Sequence, residues 1–489
     1  MEEQTNLRHG EAGFIAEAKD YLITLEGLPS IRINDVIEND KGQRAIVMGL
    51  RDDRVEALLL DRVDVQVGER FFFKDHGIKF PLGDELLGRI LNPVGDALDG
   101  EKAIPSSESF FKLEVVAPGM NARNPIKRQF ETGITVIDTL VPLSFGQRQL
   151  VIGPTGSGKT LFLEDIVIKQ KDSNVVCIYA LIGKPTSYVQ DVVGRLLGNG
   201  GNLKTIVIGA LSEEAAPMIL ISPSVAFSVA EHFSSQGKDV LLVLDDLGTH
   251  AKYLREIGLL SGRFPGRESY PGDIFYQHAH LMERAGQFNK TVGGGSITLL
   301  PVLETSLEDL TNLISTNLMA ATDGHLFFLP DLYARGYHPS ISILQSVTRI
   351  GRKTQSQLYK ELSMRILALI ADYEHQQEFG RFGTQLSEET RKTLRRGAHA
   401  QILLKQEAFV QTVSLEVQAI LLALVFTPLL GNEETSFLET NKAAILSVVA
   451  THARLDELRK SARRGSISLS EFIKRLTREV PVIEAVCQR

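Results

Sequence analysis

Residues 149–170 read QLVIGPTGSGKTLFLEDIVIKQ and join a short apolar run to a glycine-rich loop and then to a helical pattern. The loop has the spacing of a phosphate-binding loop (P-loop), whose glycines let successive backbone N–H groups turn toward phosphate oxygens. The helix that follows adds the positive end of its dipole. A glycine-rich turn without a ligand is the alternative, and the strand and helix on either side disfavour it. We therefore predict that a nucleoside triphosphate binds the P-loop residues Gly153, Pro154, Thr155, Gly156, Ser157, Gly158, Lys159 and Thr160.

Binding of a triphosphate with Mg²⁺ needs a positively charged side chain and a carboxylate in addition to the loop. Lys159 is predicted to reach the β- and γ-phosphates, and the Thr160 hydroxyl to ligate Mg²⁺. The other Mg²⁺ ligand is expected at the end of an apolar strand, and Asp245 ends the run VLLVLD at 240–245. Alone, an Asp at a strand end is more often a turn or helix-cap residue. Together with the P-loop, Asp245 is predicted to hold the Mg²⁺ shell.

Hydrolysis requires a further group, because the attacking water must be oriented. In sheet-based NTPases a carboxylate at the end of the neighbouring strand does this, but the run VVCIYALIG at 175–183 is followed by Lys184. An ammonium cannot act as a base. Glu213 and Glu214 follow the next strand and would serve if the strand order differed. The sequence favours a site that binds nucleotide without turning it over.

Composition places the chain among multidomain globular proteins. It has 489 residues, 43% of them apolar, a net charge of −7 and two cysteines, Cys177 and Cys487. A nucleic-acid footprint over the whole surface needs clustered excess Lys and Arg, and the net negative charge argues against one, so we expect no nucleic-acid partner, with a local basic groove left open. Neither a signal peptide nor an apolar run long enough to span a bilayer is apparent, so any membrane link is expected to run through partners.

Three patterns divide the chain. Short β-rich runs with turn signals predict a β-barrel at 22–95, after an N-terminal extension at 1–21. Non-alternating apolar strands separated by amphipathic helices predict a parallel α/β, RecA-like nucleotide-binding domain at 96–354. Helical spacing predicts an α-helical bundle at 355–489.

Arg349, in SVTRIG at 346–351, is a candidate arginine finger. Such fingers stabilise charge on a transferred phosphoryl group, often in the site of a neighbouring subunit. From spacing alone, a solvated Arg before a glycine turn is the better interpretation.

With these features in view, the chain resembles the α subunits of F-type ATP synthases over about nine tenths of its length. The segment GRFPGRESYPGDIFYQHAHLMERA at 262–285 indicates a ring subunit of a rotary ATPase. The segments around Ile350 and Phe379 resemble α rather than the catalytic β subunit. Further matching segments are LGDELLGRILNPVGDALDG, ETGITVIDTLVPLSFGQRQLVIG, GGGSITLLPVLET, LYARGYHPSISILQSVTRIG and FGRFGTQLSEETRKTLRRG.

The resemblance implies a non-catalytic ATP- or ADP-binding site with Mg²⁺ in a subunit that alternates with β in an α₃β₃ ring. The ring would surround a γ-type central shaft, attach to a peripheral stalk, and couple to a membrane ion-translocating sector at the cytoplasmic face of a bacterial inner membrane. It also implies that Arg349 acts in trans in the β catalytic site. Glu304 matches a carboxylate near the α nucleotide site, and Gln406 matches a residue flanking the adenine.

The departures from the family pattern cluster around the nucleotide. The usual loop resembles GDRQTGKT, whereas residues 154–157 here read PTGS. At the adenine end, His338 replaces the usual Arg and Ala408 replaces a second glutamine. The stretch before residue 22 is short for a stalk-docking helix. These differences suggest a divergent version, similar to the sodium-translocating second ATPase of some bacteria; the coupled ion, H⁺ or Na⁺, stays open.

Two other functions remain as alternatives. One is a self-sufficient hexameric ATPase of the secretion-system export type, which requires a carboxylate where Lys184 stands. The other is an RNA-translocating hexamer resembling the transcription terminator Rho, whose barrel binds single strands through aromatic side chains. The run Phe71, Phe72 and Phe73 is its only support.

Overall fold

A computed structural model represents the protein. It describes residues 11–51, 53–62, 64–105, 110–111, 115–198, 201–306, 311–380, 388–409, 412–431 and 433–487, so part of the α-like segment around Phe379 lies outside the described residues. The chain forms two compact units. Unit 1 comprises Met1–Pro125 and Gln170–Thr322, and unit 2 comprises Ile126–Lys169 and Asp323–Arg489.

The strands of the described residues are, in chain order, β1 (Ala12–Lys19), β2 (Leu22–Gly27), β3 (Val36–Asn39), β4 (Arg44–Arg51), β5 (Arg54–Leu59), β6 (Arg70–Asp75), β7 (Ile78–Lys79), β8 (Ile90–Leu91), β9 (Phe110–Phe111), β10 (Gln129–Phe130), β11 (Leu143–Ser144), β12 (Leu150–Gly153), β13 (Val176–Lys184), β14 (Thr205–Leu211), β15 (Asp239–Asp245), β16 (Gly286–Gln287), β17 (Ser296–Glu304), β18 (Gly324–Phe327) and β19 (Val347–Thr348).

The α-helices of the same residues are α1 (Thr135–Leu140), α2 (Lys159–Lys169), α3 (Thr186–Leu197), α4 (Ala216–Ser235), α5 (Leu247–Leu260), α6 (Ile274–Glu283), α7 (Leu313–Ala321), α8 (Pro330–Ala334), α9 (Gly351–Thr354), α10 (Gln357–Gly380), α11 (Glu388–Leu404), α12 (Leu415–Leu424), α13 (Pro428–Gly431), α14 (Thr435–Thr451), α15 (Asp456–Arg464) and α16 (Leu469–Glu484).

Unit 1 begins with a closed antiparallel barrel in the order β1-β2-β5-β4-β3-β6. Strand β1 pairs with both β2 and β6, so it closes the barrel, although it lies within the segment predicted to precede the barrel. Its sequence AGFIAEAK has only two large apolar residues, which explains the weak local signal. Pairing on both edges, which local sequence does not encode, makes this segment a strand.

The rest of unit 1 contains parallel strands in the order β17-β15-β13-β14-β8. Their residues are nearly all buried, as expected for strands covered on both faces. Strand β13 lies directly beside β15, with Leu181 opposite Asp245, and β14 lies on the far side of β13. The predicted parallel α/β core is confirmed.

Helix α4 is apolar on most sides and packs against the central strands of unit 1. By length and composition it is the one helix of the described residues that could cross a membrane, but 78% of the relevant window is buried inside the fold. A buried core helix passes the same test.

Unit 2 combines a small sheet with the C-terminal helices. Strand β18 pairs in parallel with β12 and antiparallel with β19. Helix α10 buries Leu362, Ile366, Leu369 and Tyr373, the positions whose spacing predicts a helix. The helical C-terminal region is confirmed.

One buried carboxylate joins the start of unit 2 to its helices. Asp138 Oδ1 accepts from the backbone N and the hydroxyl of Thr132, both at 2.8 Å. Asp138 Oδ2 accepts from Gly133 N at 2.8 Å and Gln418 Nε2 at 2.9 Å. Burial raises the pKa of Asp138 to about 6, against the opposing effect of its bonds from Gln418 and Thr132. At neutral pH the group is therefore ionised and held by four donors.

Candidate nucleotide site

The P-loop has the geometry that its sequence predicts. Strand β12 ends at Gly153, and α2 begins at Lys159. Gly156 and Gly158 have φ values of +72° and +85°, in the left-handed region that favours glycine. Ser157 N donates to Pro154 O at 3.3 Å, which closes the turn. The loop therefore passes from strand to helix in the way that an anion-binding loop requires.

Lys159 is buried and folded back over the loop. Its Nζ donates to Gly153 O at 2.8 Å and to Pro154 O at 2.6 Å, and Ser157 Oγ lies 3.5 Å away. A phosphate oxygen would compete with these carbonyls for the same ammonium. Because a charged acceptor forms the stronger hydrogen bond, we expect the ammonium to turn toward a phosphate group.

Residues after β18 pack on the P-loop. Ser340 Oγ donates a short hydrogen bond to Ser157 O, and Tyr333 lies against Gly158. Tyr333 in turn contacts the His338 ring edge-on, with 5.2 Å between ring centroids. The His338–Pro339 peptide bond is cis. This segment braces the loop that is predicted to hold the phosphates.

A narrow cleft beside the P-loop, with a volume of about 10 Å³, brings together residues separated by more than 270 positions in sequence. It contains three of the residues singled out for the adenine end, His338, Gln406 and Ala408, together with Gly158 of the P-loop. The other lining residues are Ile134, Leu161, Phe162, Asp165, Pro339 and Ser340. Its walls are mostly apolar, and at this volume the cleft has room for about one water molecule.

Gln406 is fixed by hydrogen bonds within the cleft wall. Its Oε1 accepts from Thr135 N at 3.0 Å and from the Thr135 hydroxyl at 3.3 Å, and its Nε2 donates to Gly133 O at 2.9 Å. Its backbone N donates to His338 O at 2.8 Å. Gln406 therefore joins its own segment to two others, at 133–135 and at His338.

Lys184 forms an ion pair with the aspartate predicted for the Mg²⁺ shell. Its Nζ lies 3.0 Å from Asp245 Oδ1 and 3.4 Å from Asp246 Oδ2. All three side chains are largely shielded from solvent. The Asp245–Asp246 peptide bond is cis. An ammonium therefore stands at the end of the strand where hydrolysis would need a carboxylate.

The charges of this cluster hold one another in place. Burial alone would lower the pKa of Lys184, but Asp245 and Asp246 outweigh burial and raise it. Burial raises the pKa of Asp245, and Lys184 acts in the opposite direction. Lys184 is therefore a permanent cation that compensates a buried carboxylate.

The two glutamates that are the alternative bases do not lie beside Asp245. They follow β14, which β13 separates from β15. Glu213 accepts from the backbone N and hydroxyl of Thr186, both at 3.3 Å, and Glu214 accepts from Leu211 N at 2.9 Å. The strand order on which the prediction for Lys184 depends is therefore the observed one.

The residues around Asp245 do not fit a bound Mg²⁺ ion. Asp245 Oδ2 accepts from the Tyr179 hydroxyl at 3.2 Å, and Oδ1 faces Lys184, so each oxygen already has a donor. Within the described residues, no group of three or more His, Cys, Asp or Glu side chains could hold a metal ion. The Thr160 hydroxyl, at the start of α2, keeps the oxygen chemistry that Mg²⁺ prefers.

The remaining predicted residues lie at exposed positions. Glu304 ends β17 of unit 1 with an exposed side chain. Arg349 follows β19 of unit 2, where its backbone N donates to Asp323 O at 2.9 Å and its side chain is exposed.

Sequence reasoning missed Tyr333 and Ser340 at the P-loop, and Tyr179 at Asp245. The first two follow β18, and ligands in parallel α/β sheets bind near the carboxyl ends of strands, so that rule was an available signal. Tyr179 lies inside an apolar run, where its hydroxyl gave no sign of a polar partner.

Comparisons with known proteins agree with this architecture. Residues 133–348 match the ATP synthase alpha/beta family, nucleotide-binding domain, and residues 355–479 match the ATP synthase alpha/beta chain, C terminal domain. The chain is 40% identical to ATP synthase subunit alpha 2 of Syntrophotalea carbinolica, over 78% of this chain and 73% of the relative. It is 37% identical to ATP synthase subunit alpha 1 of Dinoroseobacter shibae, over 92% and 88%, and 38% identical to ATP synthase subunit alpha 2 of Nitrosospira multiformis, over 84% and 80%. The chain therefore belongs to the family of ATP synthase α subunits.

Proposed function

We propose that this chain is the regulatory, non-catalytic α subunit of an F-type catalytic head. It binds ATP or ADP without hydrolysing it and supplies Arg349 to the catalytic site of an adjacent β subunit. ATP synthesis or hydrolysis there is coupled to translocation of H⁺ or Na⁺ by rotation of a γ-type shaft. The other partners are a peripheral stalk and a membrane ion-translocating sector, at the cytoplasmic face of the inner membrane.

The observation that carries the non-catalytic role is the ion pair between Lys184 and Asp245. A general base must accept a proton from the attacking water, and the ammonium of Lys184 has no proton-accepting lone pair. In this proposal the P-loop holds the phosphates, and the residues around Gln406 flank the base. These features together favour a site that retains its nucleotide. Mg²⁺ would accompany the nucleotide on the Thr160 side.

The second candidate is a self-sufficient export-type ATPase, which requires a carboxylate where Lys184 stands. Glu213, the nearest alternative in sequence, is exposed and caps the start of α3 through Thr186. For the RNA-translocating alternative, Phe71 and Phe73 are buried in the barrel core, where they offer no surface for stacked bases.

The test compares the purified chain alone with the chain mixed with a β subunit of the same complex. Alone, the chain should bind ATP in equilibrium dialysis and show negligible phosphate release. With β, ATPase activity should appear. A Lys159→Ala variant, as a control for the P-loop, should bind ATP far more weakly. Robust hydrolysis by the chain alone would contradict the non-catalytic role and favour the export-type alternative.

A further inference from the structure

Two polar side chains that line the cleft beside the P-loop are committed to partners within unit 2. Gln406 Oε1 accepts from Thr135 N at 3.0 Å and from the Thr135 hydroxyl at 3.3 Å. Asp165 Oδ1 accepts from Phe409 N at 3.0 Å, and Oδ2 accepts from Lys169 Nζ at 2.7 Å. Both lone pairs of the carboxamide oxygen are therefore used, and each carboxylate oxygen has a donor before any ligand arrives.

The other groups at this end of the cleft have no fixed hydrogen-bonding preference for a ligand. Ala408 carries only a methyl group, and the buried Ser340 hydroxyl donates to Ser157 O. His338 also lines the cleft. A neutral imidazole has one donor and one acceptor nitrogen and can exchange them between tautomers, so this ring can accept from an amino group or donate to a carbonyl.

Adenine and guanine differ at position 6, which is an amino donor in adenine and a carbonyl acceptor in guanine, whereas both bases present N7 as an acceptor. A site selects adenine when a fixed acceptor meets the amino group. Gln406 Oε1 and Asp165 are already occupied, and an N–H of Gln406 Nε2 would find N7 in either base. Among the described lining side chains, no fixed group reads position 6.

A purine cannot enter this cleft, because a volume of about 10 Å³ holds about one water molecule. In the proposed site the base therefore lies across the mouth of the cleft, where no pocket encloses the 2-amino group of guanine. Tyr333 lies beside Gly158 of the P-loop, meets His338 edge-on with 5.2 Å between ring centroids, and is 39% exposed. An exposed aromatic ring can stack on any base, because every base has a π-face.

We propose that the nucleotide site of this chain accepts adenine and guanine triphosphates with similar affinity, because the base is held by stacking on Tyr333 and not by hydrogen bonds that read its edge. The inference rests on the proposed function, in which the residues around Gln406 flank the base. Most of the affinity then comes from the phosphates at the P-loop, which are the same in both ligands.

Isothermal titration calorimetry of the full chain measures the Kd for ATP and for GTP at the same Mg²⁺ concentration. The two values should differ by less than about fivefold, under the tenfold that 1.4 kcal/mol represents. Tyr333→Leu should weaken both nucleotides alike by about tenfold, since it removes the stacking ring. Tyr333→Phe keeps the ring and should bind as wild type does.

A second pair of variants tests whether the wall can be made selective. Ala408→Gln adds a carboxamide whose oxygen can accept from the amino group of adenine while its NH₂ donates to N7, so ATP should be preferred by about tenfold or more. Ala408→Leu adds comparable bulk without a hydrogen-bonding group and should keep the two Kd values within about fivefold. Circular dichroism spectra that match wild type verify that each variant is folded.

The outcomes separate this inference from the proposed function. Wild-type Kd values for ATP and GTP that differ by fivefold or more would overturn the lack of base selectivity while leaving nucleotide binding intact. A Tyr333→Leu variant that binds both nucleotides as tightly as wild type would overturn the stacking role. If Ala408→Gln leaves the two affinities equal, the base does not lie at this wall, and the inference is overturned. If the wild-type chain binds neither nucleotide, the proposed function fails, and this inference fails with it.

Discussion

A Cβ atom built at Gly158 would lie 2.7 Å from Cδ2 of Tyr333, so the P-loop backbone and this ring are in direct contact. The same atom would lie 3.1 Å from Ser340 Oγ. Gly156, two residues earlier, has a similar positive φ but no heavy atom within 4 Å of its built Cβ. Alanine at either position would carry the cost of backbone strain, but only alanine at Gly158 would also clash with a neighbouring side chain.

We expect Gly158→Ala to destabilise the chain more than Gly156→Ala. Both variants lose about 1–2 kcal/mol because an L-residue then occupies the left-handed region, and Gly158→Ala adds about 1–3 kcal/mol for displacing the ring. Urea unfolding of the full chain measures the difference. The double variant Gly158→Ala with Tyr333→Ala should recover part of the added cost, and strict additivity would contradict the contact.

Replacing Gln406 by Leu should loosen the cleft wall. The change leaves Gly133 O and Thr135 N without their partner, which costs about 1–3 kcal/mol in the free energy of unfolding. Glu407→Ala, at the exposed next position, serves as control and should stay within about 0.5 kcal/mol of wild type. Equal stability of the two variants would show that the Gln406 bonds contribute nothing.

Asp138→Asn tests the four-donor anchor of unit 2. The amide keeps one acceptor oxygen and turns an NH₂ group toward N–H or O–H donors, so we expect a loss of about 3 kcal/mol at pH 7. The exposed substitution Asp331→Asn should have little effect. Thermal unfolding followed by circular dichroism provides the comparison, and a Tm equal to that of Asp331→Asn would refute the anchor.

A buried histidine pair in unit 1 should make stability depend on pH. Burial lowers the pKa of His250 to about 4 and that of His278 to about 3, and neither ring nitrogen of His278 has a hydrogen-bond partner among the described residues. Because the unfolded state takes up protons near pH 6.5 and the native state does not, this stability is present above pH 6.5 and is lost as pH falls toward 4.

Lowering the pH from 7 to 5 should reduce the free energy of unfolding by about 2 kcal/mol for each of the two histidines. His278→Leu should remove about half of that loss in urea unfolding at the two pH values. His280→Gln, at a partly exposed position on the same helix, should retain the full loss. A pH dependence that His278→Leu leaves unchanged would mean that other groups cause it.

Arg349→Ala tests the proposed finger in the assembled complex. Ring assembly and nucleotide binding should persist, while ATPase turnover falls by about 10³- to 10⁵-fold, since fingers stabilise transition-state charge. Arg352→Ala, at an exposed position three residues later, is the control and should keep most of the turnover. Near-normal turnover in Arg349→Ala would exclude the finger role.

Local sequence was sufficient for the P-loop and the sheet core. The P-loop depends on glycines at positions with positive φ, and the order of apolar residues, glycines and Lys159 reports that requirement directly. Strands β13 and β15 are continuous apolar runs, and such runs predict strands that are buried on both faces. The sequence alone also shows that position 184 carries a lysine and not a carboxylate.

Only the tertiary structure showed what those residues touch. Lys184 meets Asp245 because two strands about sixty residues apart lie side by side, and Gln406 meets Thr135 across about 270 positions. Strand β1 has a weak apolar pattern and exists through pairing on both edges. Hydrogen bonds and ion pairs of this kind depend on distances between segments that are far apart in the chain. The sequence therefore identifies the polar groups, and the tertiary fold determines which groups they contact.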